Sequence, residues 1–267
     1  CFWLKVYEIP EGTKASKGRA IQNVINIDPD DKVKAYINVG NLNDEEFINN
    51  HYIVMATRRG VIKKTLVEAY SRPRANGIIA INVNLREGDS LIGATLTSGN
   101  CDILLAAGSE GKCCRFHEED ARALGRISTG VRGINIEDDD EVVGMVCINP
   151  ETAASENIRI LIVSENGFGK QSELEEYRIT NRGGKGVKTL NITEKTGKLI
   201  ALKAVSDAND LMIINKSGVA IRMDSRDIRI AGRATQGVKL ISLREGDSIA
   251  AVCPVPKSED DESVQNL

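Results

Sequence analysis

Asn181-Arg182-Gly183-Gly184-Lys185-Gly186-Val187-Lys188-Thr189-Leu190-Asn191-Ile192 is the stretch whose reading decides the fold. A basic, glycine-rich loop runs here into a short segment that alternates apolar and polar residues. Glycine lacks Cβ and tolerates positive φ, so Gly183, Gly184 and Gly186 predict sharp turns. Val187, Leu190 and Ile192 predict a half-buried strand with a small irregularity. The stretch recurs. Gly237-Val238-Lys239-Leu240-Ile241-Ser242-Leu243 and Gly130-Val131-Arg132-Gly133-Ile134-Asn135-Ile136 are close copies, and Gly77-Ile78-Ile79-Ala80-Ile81-Asn82-Val83 is another. Gly18-Arg19-Ala20-Ile21-Gln22-Asn23-Val24-Ile25-Asn26-Ile27 is a stretched version. Recurrence at a near-fixed period marks a repeat architecture.

The same three pieces follow each copy. A polar turn comes first: Pro29-Asp30-Asp31, Arg86-Glu87-Gly88-Asp89, Glu137-Asp138-Asp139-Asp140, residues 194–197 and Arg244-Glu245-Gly246-Asp247. An apolar strand is next, over 33–39, 91–96, 142–148, 199–205 and 249–255. In four of the five units a hairpin follows, over 52–65, 103–116, 160–171 and 211–223. The hairpins turn at Arg59-Gly60, Glu110-Gly111, Asn166-Gly167 and Ser217-Gly218, the expected residue–glycine chemistry. Charged, locally helix-like segments such as 117–124 and 173–177 lead to the next glycine. The anchors Gly18, Gly77, Gly130, Gly186 and Gly237 lie 59, 53, 56 and 51 residues apart. Four strands per ~50-residue period predict a propeller-type array of four-stranded blades. A lone unit cannot bury both faces of its sheet, so neighbours must stack.

The ends add a constraint. Trp3-Leu4-Lys5-Val6-Tyr7 matches the last strand of a hairpin, and the fifth unit stops after Val255 without one. Ring closure is therefore expected to use the N-terminal strand and an upstream segment, the chain reading as a fragment that starts at Cys1.

The 267 residues carry 35 Lys and Arg against 38 Asp and Glu, a net charge of −3. Glu259, Asp260, Asp261 and Glu262 account for more than that excess, and residues 1–257 without them stand at +1. The reading is a nearly neutral β-domain over 1–257 followed by an acidic, disordered tail over 258–267. The six cysteines (Cys1, Cys101, Cys113, Cys114, Cys147, Cys253) show no CxxC and no histidine at metal-ligand spacing. Most sit in strand-like apolar runs, as reduced cysteines do, which predicts a cytoplasmic setting. No run approaches the ~20 apolar residues of a membrane helix.

Catalysis has little to stand on. The two histidines, His51 and His117, neighbour no nucleophile motif, and the 183–186 glycines lack P-loop spacing. The acidic turn 138–140 lacks the EF-hand pattern, so an ordinary solvated turn is expected there. The chain is read as non-catalytic, with no cofactor or metal of its own.

What the sequence offers is cations beside every anchor: Lys14, Lys17 and Arg19; Arg72 and Arg74; Arg122, Arg126 and Arg132; Arg178, Arg182, Lys185 and Lys188; Arg226, Arg229, Arg233 and Lys239. In stacked units equivalent positions fall at equivalent places on the rim, so these residues predict a belt. Taken singly, each is an ordinary solvated side chain and each glycine a turn requirement. The recurrence points to a polyanion, with phosphates engaged and bases unread.

At this point the chain resembles a known family, the C-terminal domain of the gyrase A protein of bacterial DNA gyrase. The resemblance rests on Lys5-Val6-Tyr7-Glu8-Ile9-Pro10-Glu11, Leu96-Thr97-Ser98-Gly99, Ser128-Thr129-Gly130-Val131-Arg132-Gly133-Ile134 and Gly232-Arg233-Ala234-Thr235-Gln236-Gly237-Val238. It covers the body from Trp3 to Val255. It implies a six-bladed β-pinwheel with an incomplete N-terminal blade, binding and bending double-stranded DNA around its outer edge in a right-handed wrap. It also implies service to ATP-dependent negative supercoiling in an A2B2 complex of gyrase A and gyrase B. ATP, Mg and the cleaving tyrosine then belong elsewhere in the holoenzyme. The family's signature heptad is a glutamine and two basic residues before Gly-Gly-basic-Gly, normally in the first blade. Its nearest match here is Thr180-Asn181-Arg182-Gly183-Gly184-Lys185-Gly186, agreeing at the last five positions. Two rivals stand beside this reading: the equivalent C-terminal domain of topoisomerase IV, and a propeller that serves as a protein-interaction scaffold.

Overall fold

The computed structural model describes residues 1–13, 15–83 and 87–257. Lys14 and the acidic segment 258–267 therefore lie outside the described residues. In chain order the strands are β1 (Tyr52–Thr57), β2 (Val61–Leu66), β3 (Leu91–Thr97), β4 (Asp102–Ala107), β5 (Lys112–His117), β6 (Val131–Arg132) and β7 (Val142–Ile148). They continue as β8 (Arg159–Ser164), β9 (Phe168–Glu173), β10 (Val187–Lys188), β11 (Leu199–Val205), β12 (Asn209–Asn215), β13 (Ala220–Asp224), β14 (Val238–Lys239) and β15 (Ile249–Pro256). Two short helices, α1 (Glu45–Asn50) and α2 (Pro150–Ser155), precede the first and third hairpins. Asp44 caps α1 by accepting from the Phe47 N–H at 3.0 Å, which satisfies an otherwise orphaned donor.

All four predicted hairpins form, as β1–β2, β4–β5, β8–β9 and β12–β13. Their glycines Gly60, Gly111, Gly167 and Gly218 all take positive φ. The sheets are assembled differently from the sequence reading. Their orders are β3-β1-β2-β6, β10-β5-β4-β7, β11-β8-β9-β14 and β13-β12-β15. Each hairpin thus takes one long strand from the unit that follows it, and the first three take a two-residue anchor strand from the unit after that. A single unit feeds three sheets, and the blades are interleaved along the chain.

The six-blade expectation is corrected accordingly. Among the described residues there are four blades, three four-stranded and one three-stranded. A blade needs a complete hairpin, and the described residues hold four, none of them ahead of segment 33–39. Segment 33–39 shows the consequence. Val33, Ala35, Ile37 and Val39 are half-buried and alternate with exposed Lys34, Tyr36 and Asn38, yet no ladder forms there. Its counterparts pair with the first strand of a preceding hairpin, and no such strand precedes it among the described residues. The expected N-terminal strand over 3–7 is also absent, since Val6–Glu8 is a 3₁₀ turn. Cys1 does stand in for a hairpin strand: its amine donates to the Ile78 carbonyl at 2.8 Å, and its carbonyl accepts from the Ile78 N–H at 2.9 Å.

Packing follows the period of two. Along β4, Ile103 and Leu105 join Val54, Ala56 and Ile62 of the first blade. Leu104 and Ala106 point the other way, onto Ile160 and Ile162 of the third blade. Along β8, Leu161 and Val163 face Leu211 and Ile213 of the fourth. Middle strands buried on both faces read as unbroken apolar runs, as in β4 and β8. The first blade's other face is covered by N-terminal residues, with Ile53, Met55, Val67 and Tyr70 packed against Trp3, Ile37 and Phe47. Successive long strands β3, β7, β11 and β15 neighbour one another, which places them at the hub. The anchor strands β6, β10 and β14 lie at the opposite edges of their sheets, on the rim. Blades are also stitched directly: Lys64 Nζ donates to the Glu118 carbonyl at 3.1 Å, Arg115 Nη1 to Leu174 at 2.7 Å and Gln171 Nε2 to Ser225 at 2.5 Å.

Candidate nucleic-acid interface

Four anchor glycines are fixed by one geometry. Gly77, Gly130, Gly186 and Gly237 have φ between +69° and +86°. A Cβ on each would fall 2.8, 2.5, 2.5 and 2.5 Å from the carbonyl oxygens of Cys1, Ile62, Cys113 and Gly169. Only glycine lets the rim loop lie this close on the backbone it packs against.

Successive anchors are then bonded to each other. The backbone N–H groups of Asn82, Asn135 and Asn191, each five residues after its glycine, donate to the carbonyls of Ser128, Gly184 and Thr235 at 3.3, 2.9 and 3.1 Å. Arg126, Arg182 and Arg233, each four residues before its glycine, run the other way. Their Nη1 atoms donate to the carbonyls of Ile79, Arg132 and Lys188 at 3.0, 2.5 and 2.8 Å. The rim is a continuous hydrogen-bonded rail. The box-like heptad carries an additional link, with the Gly183 N–H donating to Gly133 at 2.8 Å and Arg182 Nε to Asp120 at 3.0 Å.

The predicted cations divide on this rail. Arg122, Arg178 and Arg229 stand eight residues before their glycines, and Arg132, Lys188 and Lys239 two after. All six are exposed. The clasping row Arg126, Arg182 and Arg233 is half-buried, with one guanidinium nitrogen on the neighbouring anchor. The last three anchors therefore present three aligned rows. Lys17, Arg19, Arg72, Arg74 and Lys185 are exposed but fall outside those rows. Pro73 takes the clasp position before Gly77, and Ala20 and Ile79 take the position two after the first two anchor glycines. Arg226 is turned to Asp224, with Nη2 2.6 Å from Oδ2. Arg226 first, and Lys257 after it, hold the Asp224 carboxyl well below the usual carboxylate range. Lys14 lies outside the described residues.

The acidic turns have structural work at the far end of the hairpins. Asp140 is buried and accepts from the N–H groups of Ser109 and Glu110 at 2.7 and 3.0 Å. Asp89 and Asp247 receive the Arg59 and Ser217 N–H groups at 2.9 and 3.3 Å. The expectation of a merely solvated turn at 138–140 is thus corrected for Asp140, while Asp138 and Asp139 are exposed. Sequence reasoning missed Lys63 and Lys170, both fully buried beneath the rim loops. Each stands three residues after a hairpin glycine, Gly60 or Gly167, and that shared offset was available as a signal. Burial pulls both amines down to about 8.

A family model described as the DNA gyrase C-terminal domain, beta-propeller, matches five successive segments: 1–48, 51–98, 102–149, 159–206 and 209–256. The chain belongs to this family. Each of the last four segments begins at a hairpin and closes at a hub strand, the unit that the sheets interleave. The DNA gyrase A protein of Staphylococcus epidermidis (strain ATCC 12228 / FDA PCI 1200) is 41% identical over 257 residues, 96% of this chain and 28% of that protein. The DNA gyrase A protein of Staphylococcus aureus (strain NCTC 8325 / PS 47) is 41% identical over 261 residues, 97% of this chain and 28% of that one. The chain thus spans little more than a quarter of the length of these curated relatives. Among solved structures, the C-terminal domain of DNA topoisomerase IV superposes with a TM-score of 0.82 at 24% identity, covering 98% of this chain and 77% of that one. A DNA gyrase A C-terminal domain superposes at 0.74 and 21% identity, covering 90% and 75%. At these identities the likeness concerns the fold. No helix among the described residues is long and apolar enough to cross a membrane.

Proposed function

We propose that this chain is a non-catalytic DNA-wrapping module of a gyrase-type topoisomerase, which bends duplex DNA along its rim without reading sequence. The observation that carries the proposal is the alignment of cations, with Arg122, Arg178 and Arg229, then Arg126, Arg182 and Arg233, then Arg132, Lys188 and Lys239, on one hydrogen-bonded rail. Lysines and arginines that neutralise phosphates release counterions and give affinity without base readout. Bending ~20–30 bp by ~40–90° costs roughly 1–6 kcal/mol, and contacts distributed along an arc offset that cost. Lys14, Lys17, Arg19, Arg72, Arg74 and Lys185 extend the proposed contact set onto the first two anchors and the box-like loop. The working unit is residues 1–257, with 258–267 as an acidic tail. The holoenzyme is a cytoplasmic A2B2 complex of gyrase A and gyrase B that introduces negative supercoils, with ATP and Mg used outside this chain.

A second reading has its own observation. Ile79 and Ala20 replace the cation two after the glycine at the first two anchors, so the aligned belt covers three anchors. That favours binding with weak wrapping, as in the topoisomerase IV reading. Ligating nicked DNA circles in the presence of the chain separates the two. A wrapper shifts the linking number of the products in proportion to protein bound, whereas binding with no shift contradicts the wrapping proposal.

A further inference from the structure

Lys63 and Lys170 are fully buried, and both ammonium groups end at the rim. Lys63 Nζ donates to the Ala80 carbonyl at 2.6 Å and to the Arg126 carbonyl, joining the second anchor to the third. Lys170 Nζ donates to the carbonyls of Gly232 and Arg233 at 2.6 and 2.5 Å and lies 3.2 Å from Thr235 Oγ1. Arg126 and Arg233 are clasp arginines. Each therefore has its backbone held from below by a lysine, while its side chain crosses to the preceding anchor.

The blade itself does not need a cation at this position. Cys114 and Ile221 stand at the same offset from Gly111 and Gly218, and their hairpins form with the same antiparallel pairing. Cys114 lies beneath the loop that carries the extra Gly183–Gly133 bond, so that loop has a substitute tie. Desolvating an ammonium is costly. Both lysines, held near 8, still remain largely protonated at neutral pH. That cost is incurred where an apolar residue would complete the sheet, which places its benefit in the loop above.

We infer that Lys63 and Lys170 are positioning residues of the rim, holding Arg126 and Arg233 in the row that meets phosphates while touching no ligand themselves. The inference rests on the reading of the rim as a duplex-binding surface. A clasp arginine fixed before binding loses less conformational freedom on contact, so pre-organisation raises affinity.

The test measures the affinity of the 267-residue chain for a ~150 bp duplex across a salt series, where the slope of log K against log salt reports phosphates engaged. Lys63→Met/Lys170→Met is expected to bind ~10-fold more weakly, with a slope shallower by about two. Lys170→Met alone, which removes one tie at a position where cysteine and isoleucine also occur, should bind ~3-fold more weakly with a slope shallower by about one. Ile103→Val, a core change remote from the rim, should lower the melting temperature and leave the slope unchanged. Wild-type affinity and slope in both lysine variants would overturn the inference, as would an equal loss in Ile103→Val. Absence of binding by the wild-type chain would overturn the duplex reading of the rim, and this inference with it.

Discussion

Gly186 shows how narrowly the rim is determined. Its φ is +74°, and a Cβ there would lie 2.5 Å from the Cys113 carbonyl oxygen. Gly218 has a similar φ of +86° but open space around it. The left-handed conformation costs an L-residue roughly 1–2 kcal/mol, and forcing extra atoms into a packed site adds roughly 1–3 kcal/mol. Gly186→Ala should therefore lose about 2–5 kcal/mol in urea unfolding and Gly218→Ala about 1–2 kcal/mol. Equal losses would contradict the close-approach account. Lys170 gives a pH prediction of definite sign. Burial first, and Arg233 beside it, lower its amine to about 8 despite the opposing charge of Glu176. Between that value and the ~10.4 of an unfolded lysine, the unfolded state binds more protons, so this group's contribution to stability rises with pH. The stability of the wild type relative to Lys170→Met should shift in favour of the wild type from pH 8 to pH 10. A pH-independent difference would contradict the burial account.

Arg115 in β5 ties its blade to the next through the carbonyls of Leu174 and Tyr177, at 2.7 and 3.0 Å. It also pairs with Asp102 of β4, whose side chain is 1% exposed, at 2.5 Å. Arg115→Met leaves that carboxylate buried with only the His117 ring, 2.7 Å from Oδ1, beside it. Removing one partner of a buried pair costs roughly 3–5 kcal/mol. Asp102→Asn in the same background should recover part of that loss in a double-mutant cycle read by chemical denaturation, and strict additivity would contradict the coupling. Hairpins and hub strands of this kind were legible in the sequence, because runs such as 103–107 and 142–148 have strand length and are bounded by turn glycines. The anchors were legible as a repeat, since Gly-Val-Lys and Gly-Val-Arg recur. Their exchange between blades was not, because a two-residue strand such as Val187–Lys188 carries no periodicity that names its partner. The clasp row was named as a set of candidate contacts. Its bond to the neighbouring anchor joins residues about 45–50 positions apart, which local pattern cannot reveal.

Along the whole rim the blades bring together residues from three separate stretches of chain. Arg132, Lys188 and Lys239 are exposed and two residues past their glycines, so their removal should change the salt response and leave the fold intact. Replacing all three by alanine should make the log K–log salt slope shallower by about three times 0.9, while each surface change stays within about 0.5 kcal/mol of wild-type stability. An unchanged slope would mean that this row does not meet phosphates. The charge sum of the chain hid this surface, because its acids sit in hairpin-capping turns such as 137–140 and in the 258–267 segment. The most direct measurement compares the affinity of the chain for a ~150 bp duplex with that for a ~20 bp duplex across a salt series. An extended phosphate-binding rim predicts much tighter binding to the long duplex and a steep negative slope. Equal, weak and salt-insensitive binding to both would contradict it.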